Sequence, residues 1–338
     1  MSPSDVVITG AGLIGLSCAL ELQSLGMRVT VLERDTAARQ ASWAAAGMLA
    51  AHDLLNPSAL RPLSDLSIEL YPAFLAHIAA LTGITVPIET EWTLEGPHPH
   101  SATAQHDLSQ LQRPGFIRIA EQSLDPRKLT AALAAAVRST DIDLREHTPV
   151  RGWTESADGV EVQTENGSFR AGYLLDCTGA WSGHPVRPAK GQMLRVTAPG
   201  VLTSPALGNI VVRTPQIYLV PRLDGSIVIG ATVEDAGFDT TTHDADLDRL
   251  RQHAAALIPS LAEAVEVERW AGLRPDTPDH LPLLGQVSER RFLATGHYRN
   301  GILLAPATAR VMTQLIQGQQ PATTLDSFAP NRFAQAPQ

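Results

Sequence analysis

The sequence predicts an α/β protein whose two domains are interleaved along the chain. Residues 5–34 alternate apolar strand, glycine-rich turn, helix and strand, which is the pattern of one βαβ unit. Residues 188–235 contain a run of short strands separated by turn residues, which indicates an antiparallel sheet. A strand over residues 291–296 and a helix over residues 305–317 end the chain much as it began. Because the two ends are alike and the middle differs, we expect the first domain to be discontinuous.

The length and composition agree with two ordinary buried cores. The chain has 338 residues, of which 44% are hydrophobic and 18% charged, and about 150 residues are typical of one domain. From the element pattern we place one domain in residues 1–60, 122–186 and 270–338. The second domain takes residues 61–121 and 187–269.

Charge and cysteine content narrow the class of partner. The net charge of −9 argues against a nucleic-acid or anionic-membrane surface, so we expect a small-molecule partner. Cys18 and Cys177 are the two cysteines, and they give no disulfide framework.

No window reaches the roughly 18 to 20 uninterrupted apolar residues of a membrane-spanning helix. The chain enters a strand at Val6 with no leader-like stretch before it, so the predicted location is cytoplasmic.

Several segments have a structural explanation alone. Residues 62–81 carry apolar residues at helical spacing, and Asp125 followed by Pro126 is a typical helix start. Residues 97–114 are polar and interrupted by prolines, which predicts a loop with at most a short helix. Within that loop His98 and His100 form an HxH pair. No third ligand stands at the spacing of a metal site, so we predict no metal.

A glycine motif follows the first strand and opens the first helix. Its residues read GxGxxG in the strand-to-helix context that dinucleotide binding requires: Gly10, Ala11, Gly12, Leu13, Ile14 and Gly15. The first glycine permits a tight turn, the second lets the backbone approach a pyrophosphate, and the third lets the helix pack on the strand. The diphosphate would lie at the helix N-terminus. The alternative is a plain glycine turn.

An acidic residue stands where a ribose hydroxyl would need it. Glu33 ends the second strand, 18 residues beyond Gly15, where the motif expects about 20. Its carboxylate would repel a 2′-phosphate, which disfavours NADP, but the motif does not distinguish FAD from NAD. Residues 41–50 then place small side chains from Ala44 to Gly47, against which a flat ring could lie. An alanine-rich helix start would look the same.

Residues 41–50 resemble the flavin-contacting segment of the FAD-dependent D-amino-acid oxidase family, most closely its glycine oxidase branch. Further segments are similar to that branch and follow in the same order: 176–181, 218–239, 270–285 and 294–309. The similarity covers most of the chain, and several motifs in order are more specific than one. Residues 97–114 depart from it, because they are shorter than the corresponding region and lack its helical pattern. This difference concerns the rim of the site, the contacts between subunits and the size limit for the substrate.

The resemblance implies a Rossmann-like FAD-binding domain interleaved with a substrate domain. It implies non-covalent FAD, because Cys177 lies at a strand end inside the cofactor domain and not in a C-terminal segment that faces the flavin. The predicted cofactor-binding residues, besides the glycine motif and Glu33, are Arg34, Ala41, Ser42, Ala45, Ala46, Gly47, Met48, Val150, Thr178, Gly179, Trp181, His297, Arg299, Asn300, Gly301 and Ile302.

The resemblance also implies a site for a small amino-acid substrate. Arg274 matches the arginine that holds the substrate carboxylate, and a guanidinium can do so through two parallel hydrogen bonds. The alternative for Arg274 is a surface salt bridge. Tyr218 matches the second carboxylate contact, with a core tyrosine bonded to backbone as the alternative. Val233 would line the pocket beside the substrate α-carbon, and Ala46 would line it as well.

Arg299 stands among small and apolar residues where a buried strand passes into a helix. A cation at such depth needs a partner or a function. The resemblance places Arg299 between flavin and substrate as the third catalytic residue, its side chain supporting negative charge and its carbonyl accepting from the substrate amine. The alternative is a structural ion pair with a carboxylate elsewhere. His297 either meets the flavin or caps local backbone, and the residues favour the cap. Residues 300–302 begin the final helix, whose positive end would stabilise the reduced flavin.

The implied reaction is the oxidation of glycine and other small amines, such as sarcosine and D-alanine. The imine would hydrolyse to a 2-oxo acid and ammonia, while oxygen would be reduced to hydrogen peroxide. A homo-oligomer and a role in thiamine biosynthesis are also predicted, the latter from the resemblance alone. Preference among the three amines depends on about one methyl group of pocket space and is not predicted. The alternatives are a flavin dehydrogenase of bulkier D-amino or imino acids with a non-oxygen acceptor, an FAD-binding protein without turnover, and an NAD-dependent dehydrogenase.

Overall fold

The computed structural model describes residues 4–96, 115–197 and 209–333. Within these ranges the helices are α1 Leu13–Ser24, α2 Ala41–Ala44, α3 Arg61–Thr82, α4 Pro126–Arg138, α5 Asp244–Leu257 and α6 Gly301–Ile316. The strands are β1 Ser4–Thr9, β2 Val29–Leu32, β3 Ile88–Thr90, β4 Trp92–Glu95, β5 Ile117–Ile119, β6 Ser123–Leu124, β7 Asp143–Arg145, β8 Val150–Ser156, β9 Gly159–Thr164, β10 Gly167–Asp176, β11 Arg187–Thr197, β12 Ile210–Arg213, β13 Tyr218–Pro221, β14 Ser226–Gly230, β15 Val265–Asp276, β16 Leu283–Gln286 and β17 Arg291–Thr295.

The first sheet contains the predicted βαβ unit. Its strands lie in the order β16-β17-β10-β1-β2-β7, and β17, β10, β1, β2 and β7 are parallel neighbours. Val6, Val7 and Ile8 of β1 are completely buried, as expected of a central parallel strand covered on both faces. The carboxyl ends of β1, β2 and β10 meet at one edge of this sheet, which is where open α/β folds bind their ligands.

The helices α1, α3, α4 and α6 share one hydrophobic core with the first sheet. The predicted start of α4 is confirmed, because the Asp125 carboxylate accepts a hydrogen bond from Arg127 N (2.8 Å). The predicted helix over residues 62–81 is confirmed as α3. This helix ends at Gly83, whose φ of 71° is left-handed and costs glycine little.

Two hydroxyl groups of α3 anchor the first turn of α6. Pro306 lies inside α6 and has no N–H, so the carbonyl of Ile302 lacks its usual helical donor. Tyr71 donates its hydroxyl to Ile302 O (2.6 Å), and Ser67 Oγ donates to Leu303 O (2.6 Å). Because all these groups are buried, the start of α6 is held firmly against α3.

The second sheet lies in the order β15-β11-β14-β13-β12-β4-β5. The predicted antiparallel sheet is present, and among the strands that the structure describes in it, β12 and β4 form the one parallel pair. That pair escapes sequence analysis because β4 comes from a segment outside residues 188–235. Helix α5 packs on one face of this sheet, which leaves the other face to contact the segment around α2.

The predicted domain limits stay a prediction, but two contacts bear on them. Strand β15 crosses the limit between residues 269 and 270 and remains paired with β11 along its whole length. Helix α3, predicted within the substrate domain, packs against α6. The predicted loop 97–114, with His98 and His100, lies outside the described residues. In the described ranges no helix is both long and apolar enough to cross a membrane.

Candidate active site

A cavity of about 660 Å³ is lined by residues of both sheets. It collects residues from β1, β2, β11, β13, β15 and β17, together with the turn before α1 and the start of α6. Every residue predicted for the cofactor or the substrate lines this cavity except Gly15. The fold therefore brings the predicted residues together, although the role of each one stays a prediction.

The glycine turn is shaped partly by the protein's own packing. Gly10 has a φ of 93°, and a Cβ there would lie 2.6 Å from Cys177 O. A Cβ on Gly15 would lie 2.0 Å from Gly10 O, which explains why Gly15 is required although it does not reach the cavity. Gly12 differs, because the nearest atom to a Cβ there is Ser42 Oγ at 3.8 Å. Its open side faces the cavity and leaves room for a ligand to approach the backbone.

Glu33 lies beside the turn at the end of β2 and is 7% exposed. Its two carboxylate oxygens accept hydrogen bonds from Ala11 N (2.7 Å) and Asp35 N (3.0 Å). A carboxylate offers about four acceptor sites, so it retains capacity for a ribose hydroxyl. The Arg34 guanidinium lies 3.9 Å above the Trp181 ring at the same end of the cavity. Val150, Thr178 and Gly179 also line this end.

The small-residue segment is held in place by buried side chains that the sequence analysis missed. Trp270 Nε1 donates to Ala44 O (3.0 Å), and Arg222 Nη2 donates to Ala46 O (2.8 Å). Gly47 has a φ of 84°, and a Cβ there would meet Leu124 O at 1.9 Å. The alternative explanation of residues 41–50, an alanine-rich helix start, therefore holds only as far as Ala44, where α2 ends.

Arg274 extends from β15 into the cavity. Its Nη1 donates to Thr232 O (3.1 Å) and, at the limit of bonding distance, to Lys190 O (3.5 Å). In the described ranges no carboxylate forms an ion pair with Arg274, so the surface salt bridge considered from the sequence is absent there. An arginine aligned by carbonyl oxygens retains its full charge and several donors for an anionic ligand.

Tyr218 lies next to Arg274 in the cavity. Burial raises the pKa of its hydroxyl, and the Arg274 guanidinium opposes part of that rise. The hydroxyl donates to Met193 Sδ (3.0 Å), which is a weak acceptor. The core tyrosine bonded to backbone is thus not what the structure contains. A protonated phenol with a weak partner can turn its hydrogen to a better acceptor, such as a carboxylate.

Two strand glycines make room for these side chains. A Cβ on Gly191 of β11 would lie 2.3 Å from the Arg274 guanidinium nitrogens. A Cβ on Gly230 of β14 would lie 2.3 Å from the Tyr218 hydroxyl. Glycine inside a strand often marks the close approach of another group to the backbone. Gly191 and Gly230 could therefore have indicated from the sequence that side chains cross these strands.

The start of α6 lines the cavity through Asn300, Gly301 and Ile302. Its free N–H groups and positive dipole end therefore lie at the cavity wall. His297 is 3% exposed, and its Nε2 shares a hydrogen bond with Thr308 Oγ1 (3.0 Å). The partner is a side chain of α6 and not local backbone, so the predicted backbone cap is not the bond that His297 forms. A contact between His297 and the flavin stays a prediction.

The expectation that Arg299 is deeply buried is wrong, because its side chain is 30% exposed. Its Nη2 lies 2.9 Å from Asp53 Oδ2 and 3.3 Å from Asn56 Oδ1. The alternative from the sequence, an ion pair with a carboxylate elsewhere, thus describes its contacts. Asp53 also faces Arg213 at 3.7 Å. Sequence analysis missed Asp53 and Arg213, since no local pattern connects them to Arg299.

Val233 lines the cavity but is 67% exposed. It therefore lies at the open rim of the cavity, where a bound molecule could cover it. Cys177 is buried behind the glycine turn, and burial raises the pKa of its thiol. The part of the chain that the structure describes holds no cluster of potential metal ligands.

Comparison of the sequence with models of protein families identifies the family of this chain. The model described as DAO, FAD dependent oxidoreductase, matches residues 5–315, which is most of the chain. The chain belongs to this family. FAD is therefore its cofactor, and the protein is an FAD-dependent oxidoreductase.

Curated relatives of this oxidoreductase are similar over nearly its whole length. The glycine oxidase of Pseudomonas aeruginosa is 33% identical, with 96% of this chain and 98% of the relative covered. The bifunctional protein ThiO/ThiG of Synechocystis is 35% identical over 98% of this chain, which spans 54% of that longer protein. Among solved structures, glycine oxidase from Geobacillus kaustophilus has a TM-score of 0.89 at 30% identity, covering 98% of this chain and 99% of the other. This likeness confirms the fold predicted from the sequence.

The residues of the oxidoreductase fit FAD on structural grounds. Gly12 has an open Cβ position that faces the cavity, as the approach of a diphosphate requires. Glu33 lies at the end of β2 for the ribose, and the small residues Ala45 to Gly47 line the same cavity. The N-termini of α1 and α6 both reach its wall, so each could face negative charge on the cofactor.

Proposed function

We propose that this oxidoreductase oxidises glycine and other small amines, including sarcosine and D-alanine, with oxygen as the electron acceptor. The products would be hydrogen peroxide and the imine, which hydrolyses to a 2-oxo acid and ammonia, or methylamine in the case of sarcosine. The observation that carries the proposal is Arg274, a cation in the cavity that is aligned by carbonyl oxygens and has no carboxylate partner within the described residues. Glycine oxidases among its relatives support the same substrate class.

The substrate carboxylate would bind to Arg274 and Tyr218. A guanidinium binds a carboxylate through two parallel hydrogen bonds, which fixes its orientation as well as its position. Tyr218 would add a third bond by turning its hydroxyl away from Met193 Sδ, a weak acceptor. Substrate held in this way presents its α-carbon towards the region lined by Ala46 and Val233.

Position and electrostatics would do the remaining work. When bound, FAD would supply the hydride acceptor for oxidation of the substrate α-carbon and the route of the electrons to oxygen. The N-terminus of α6 supplies positive potential at the cavity wall. Arg299, which is paired with Asp53, would contribute its carbonyl oxygen as an acceptor for the substrate amine. The amine enters deprotonated, so no side-chain base is needed and alignment carries the catalysis.

The likeness to ThiO/ThiG supports a place in thiamine biosynthesis. Small amino acids and oxygen would be the partners, in a cytoplasmic homo-oligomer with non-covalent FAD. Non-covalent binding is supported by the buried position of Cys177 behind the glycine turn. Denaturation in acid should therefore release all the yellow colour from the protein.

The decisive experiment is anaerobic mixing of the purified FAD-loaded protein with excess glycine. We expect the visible flavin absorption to bleach, and admission of air to restore it with formation of hydrogen peroxide. Bleaching without recovery in air would indicate a dehydrogenase with another electron acceptor. No bleaching by glycine, sarcosine or D-alanine would overturn the proposed substrate class.

A further inference from the structure

The chain beyond β14 forms one wall of the cavity and is called here the wall segment, residues 231–239. It continues beside β11 after regular pairing ends. Thr232 N donates to Gln192 O (3.3 Å), and Glu234 exchanges two backbone hydrogen bonds with Lys190 (2.9 and 3.0 Å). The wall segment is therefore an irregular extension of the second sheet, held to β11 by three backbone bonds.

The wall segment lines the cavity through Ala231 and Val233, and its Phe238 contacts the lining residue Trp181. Val233 lines the cavity at its rim. Phe238 stacks on Trp181 of the first domain, with ring centroids 5.2 Å apart, and Arg34 covers Trp181 at 3.9 Å. A displacement of this segment would therefore alter the wall of the site.

Lys190 holds the wall segment through its side chain. Its Nζ lies 2.8 Å from Asp239 Oδ2 and 3.6 Å from Glu234 Oε2, and the side chain is completely buried. Removing an ammonium from water is costly unless it is paired, so this lysine binds the two acids in one arrangement. The ammonium is shielded from solvent, whereas the Asp239 side chain is 43% exposed, so the pair is partly buried and is screened less than a pair with both charges at the surface.

Lys190 acts from the face of β11 that is turned away from the cavity. Successive side chains of a strand point to opposite faces. Gly191 and Met193 line the cavity, whereas Lys190 and Gln192 do not. Gln192 also helps to hold the wall segment on β11, because its Nε2 donates to Glu234 Oε1 (2.8 Å).

The two segments that the Lys190 side chain joins also supply the hydrogen-bond acceptors of Arg274. The guanidinium crosses over Gly191, where a Cβ would lie within 2.3 Å, and reaches Thr232 O at 3.1 Å. Its other acceptor is the carbonyl of Lys190 itself. Both acceptors thus belong to the two chain segments that the Lys190 side chain ties together.

We propose that Lys190 is a positioning residue for substrate carboxylate binding. Its buried ammonium keeps the wall segment where the Thr232 carbonyl aligns the Arg274 guanidinium. Without Nζ, Asp239 loses its partner on β11, and Glu234 is held to β11 only by its backbone bonds and the Gln192 contact. The Thr232 carbonyl is then held less firmly, and Arg274 samples orientations that cannot form two parallel bonds to a carboxylate. The inference rests on the proposed role of Arg274 as the carboxylate anchor.

The test is Lys190→Met in the FAD-loaded protein, with acetate as the probe of carboxylate binding. Acetate has no amine to be oxidised, so its Kd can be measured from the visible flavin absorption without turnover. We expect the acetate Kd and the KM for glycine to rise about tenfold, as for coupled neighbours worth about 1.4 kcal/mol. FAD content and kcat should stay within about twofold of the parent. An acetate Kd equal to that of the parent overturns the proposal.

Arg251→Met is the matched control, because Arg251 forms an ion pair with Glu266 in the same sheet region without reaching the cavity. It should leave the acetate Kd unchanged. An increase of similar size in the acetate Kd of both variants would mean a general loss of sheet stability and would overturn the positioning role.

The double variant Lys190→Met/Asp239→Asn separates positioning from simple stability. The second substitution removes the Asp239 carboxylate, which Lys190→Met leaves without its partner. The unfolding temperature should therefore return towards that of the parent, while the acetate Kd stays above the parent value. Recovery of both overturns the proposal. Should Lys190→Met fail to fold, Asp239→Asn alone weakens the same ion pair, and an unchanged acetate Kd in that variant also overturns it.

Arg274→Ala distinguishes failure of this inference from failure of the proposed function. If Arg274→Ala binds acetate as tightly as the parent, the carboxylate anchor itself is wrong. If Arg274→Ala weakens acetate binding and Lys190→Met does not, only the positioning role of Lys190 is wrong.

Discussion

Arg274 and Tyr218 are adjacent in the cavity although they come from strands that are separated by β11 and β14 in the sheet order. Their side chains cross those strands over Gly191 and Gly230. The resemblance named Arg274 and Tyr218, but only the structure shows that two glycines provide their space. Substitution of either the side chains or the glycines beneath them should therefore disturb substrate binding.

Arg274→Ala should raise the KM for glycine by at least about 10- to 100-fold, because the loss of even one hydrogen bond to a charged group costs about 1.5–3 kcal/mol. FAD content should be unchanged. Steady-state kinetics and the ratio of flavin to protein absorption measure both quantities. Arg274→Lys keeps the charge without the paired geometry and should fall between parent and alanine variant. A KM equal to that of the parent would remove Arg274 from the site.

Gly191→Ala should raise the KM for glycine with little change in unfolding temperature. The added Cβ would lie 2.3 Å from the Arg274 guanidinium, which is the mobile end of a flexible side chain, so the arginine moves and the strand does not. Gly152→Ala is the control, because a Cβ there meets only Gln163 Oε1 at 3.6 Å. Kinetics unaffected by Gly191→Ala would contradict the arrangement of Arg274 over β11.

At the scale of elements, the turn before α1 and the start of α6 are built differently. The turn was readable from the sequence because its glycines stand at fixed spacing between a strand and a helix. The start of α6 depends on Tyr71 and Ser67, which lie more than two hundred residues away in the chain. No local pattern indicates such a contact.

Gly12→Ala should weaken FAD binding without lowering the unfolding temperature of the apoprotein. The nearest atom to the new Cβ is Ser42 Oγ at 3.8 Å, so the protein tolerates the methyl group that a diphosphate would meet. Gly15→Ala should instead destabilise the apoprotein itself, since its Cβ would meet Gly10 O at 2.0 Å. Fluorescence titration with FAD and thermal unfolding of both variants test this contrast. Equal FAD affinity in Gly12→Ala and parent would argue against a diphosphate at this turn.

Tyr71→Phe should destabilise the protein by about 1–3 kcal/mol, the cost of a buried acceptor without a partner. The phenol donates to Ile302 O, which Pro306 leaves without a helical donor. Urea unfolding measures the loss. Tyr173→Phe is a suitable comparison from the same domain, since it keeps the ring that packs on Phe292. Equal stability of Tyr71→Phe and parent would show that the first turn of α6 does not depend on this bond.

For the molecule as a whole, stability should depend on pH through His297. Burial lowers the pKa of His297 to about 3, whereas an unfolded histidine has a pKa of about 6.5. Between these values the unfolded chain binds the additional proton, so stability is lost as the pH falls below about 6.5, by roughly 1.4 kcal/mol per pH unit. Unfolding by urea at pH 7 and pH 5 should therefore show a loss about 2 kcal/mol greater in the parent than in His297→Gln. The same loss in both proteins would mean that His297 does not carry this dependence.

The interleaved architecture follows from how the two sheets are assembled. β1, β10 and β17 come from three distant parts of the chain and lie side by side in the first sheet. β15 then begins in the second sheet and ends at the cavity beside the first domain. The predicted interleaving captures this arrangement, although β15 does not stop where the predicted limit at residues 269 and 270 would place it.

The sequence by itself determined the βαβ unit, the glycine turn and the cap at Asp125, because each is encoded in periodicity or in residues close together in the chain. The family was indicated by the resemblance of several segments in the same order along the chain, which the family model confirms. Only the tertiary structure decided that Arg299 is partly exposed and paired with Asp53. The same holds for Arg222 supporting Ala46 and for Lys190 holding the wall segment. A charged side chain takes its partner from whatever the packing of distant strands brings within bonding distance. That distance is set by the whole fold and leaves no local pattern in the sequence.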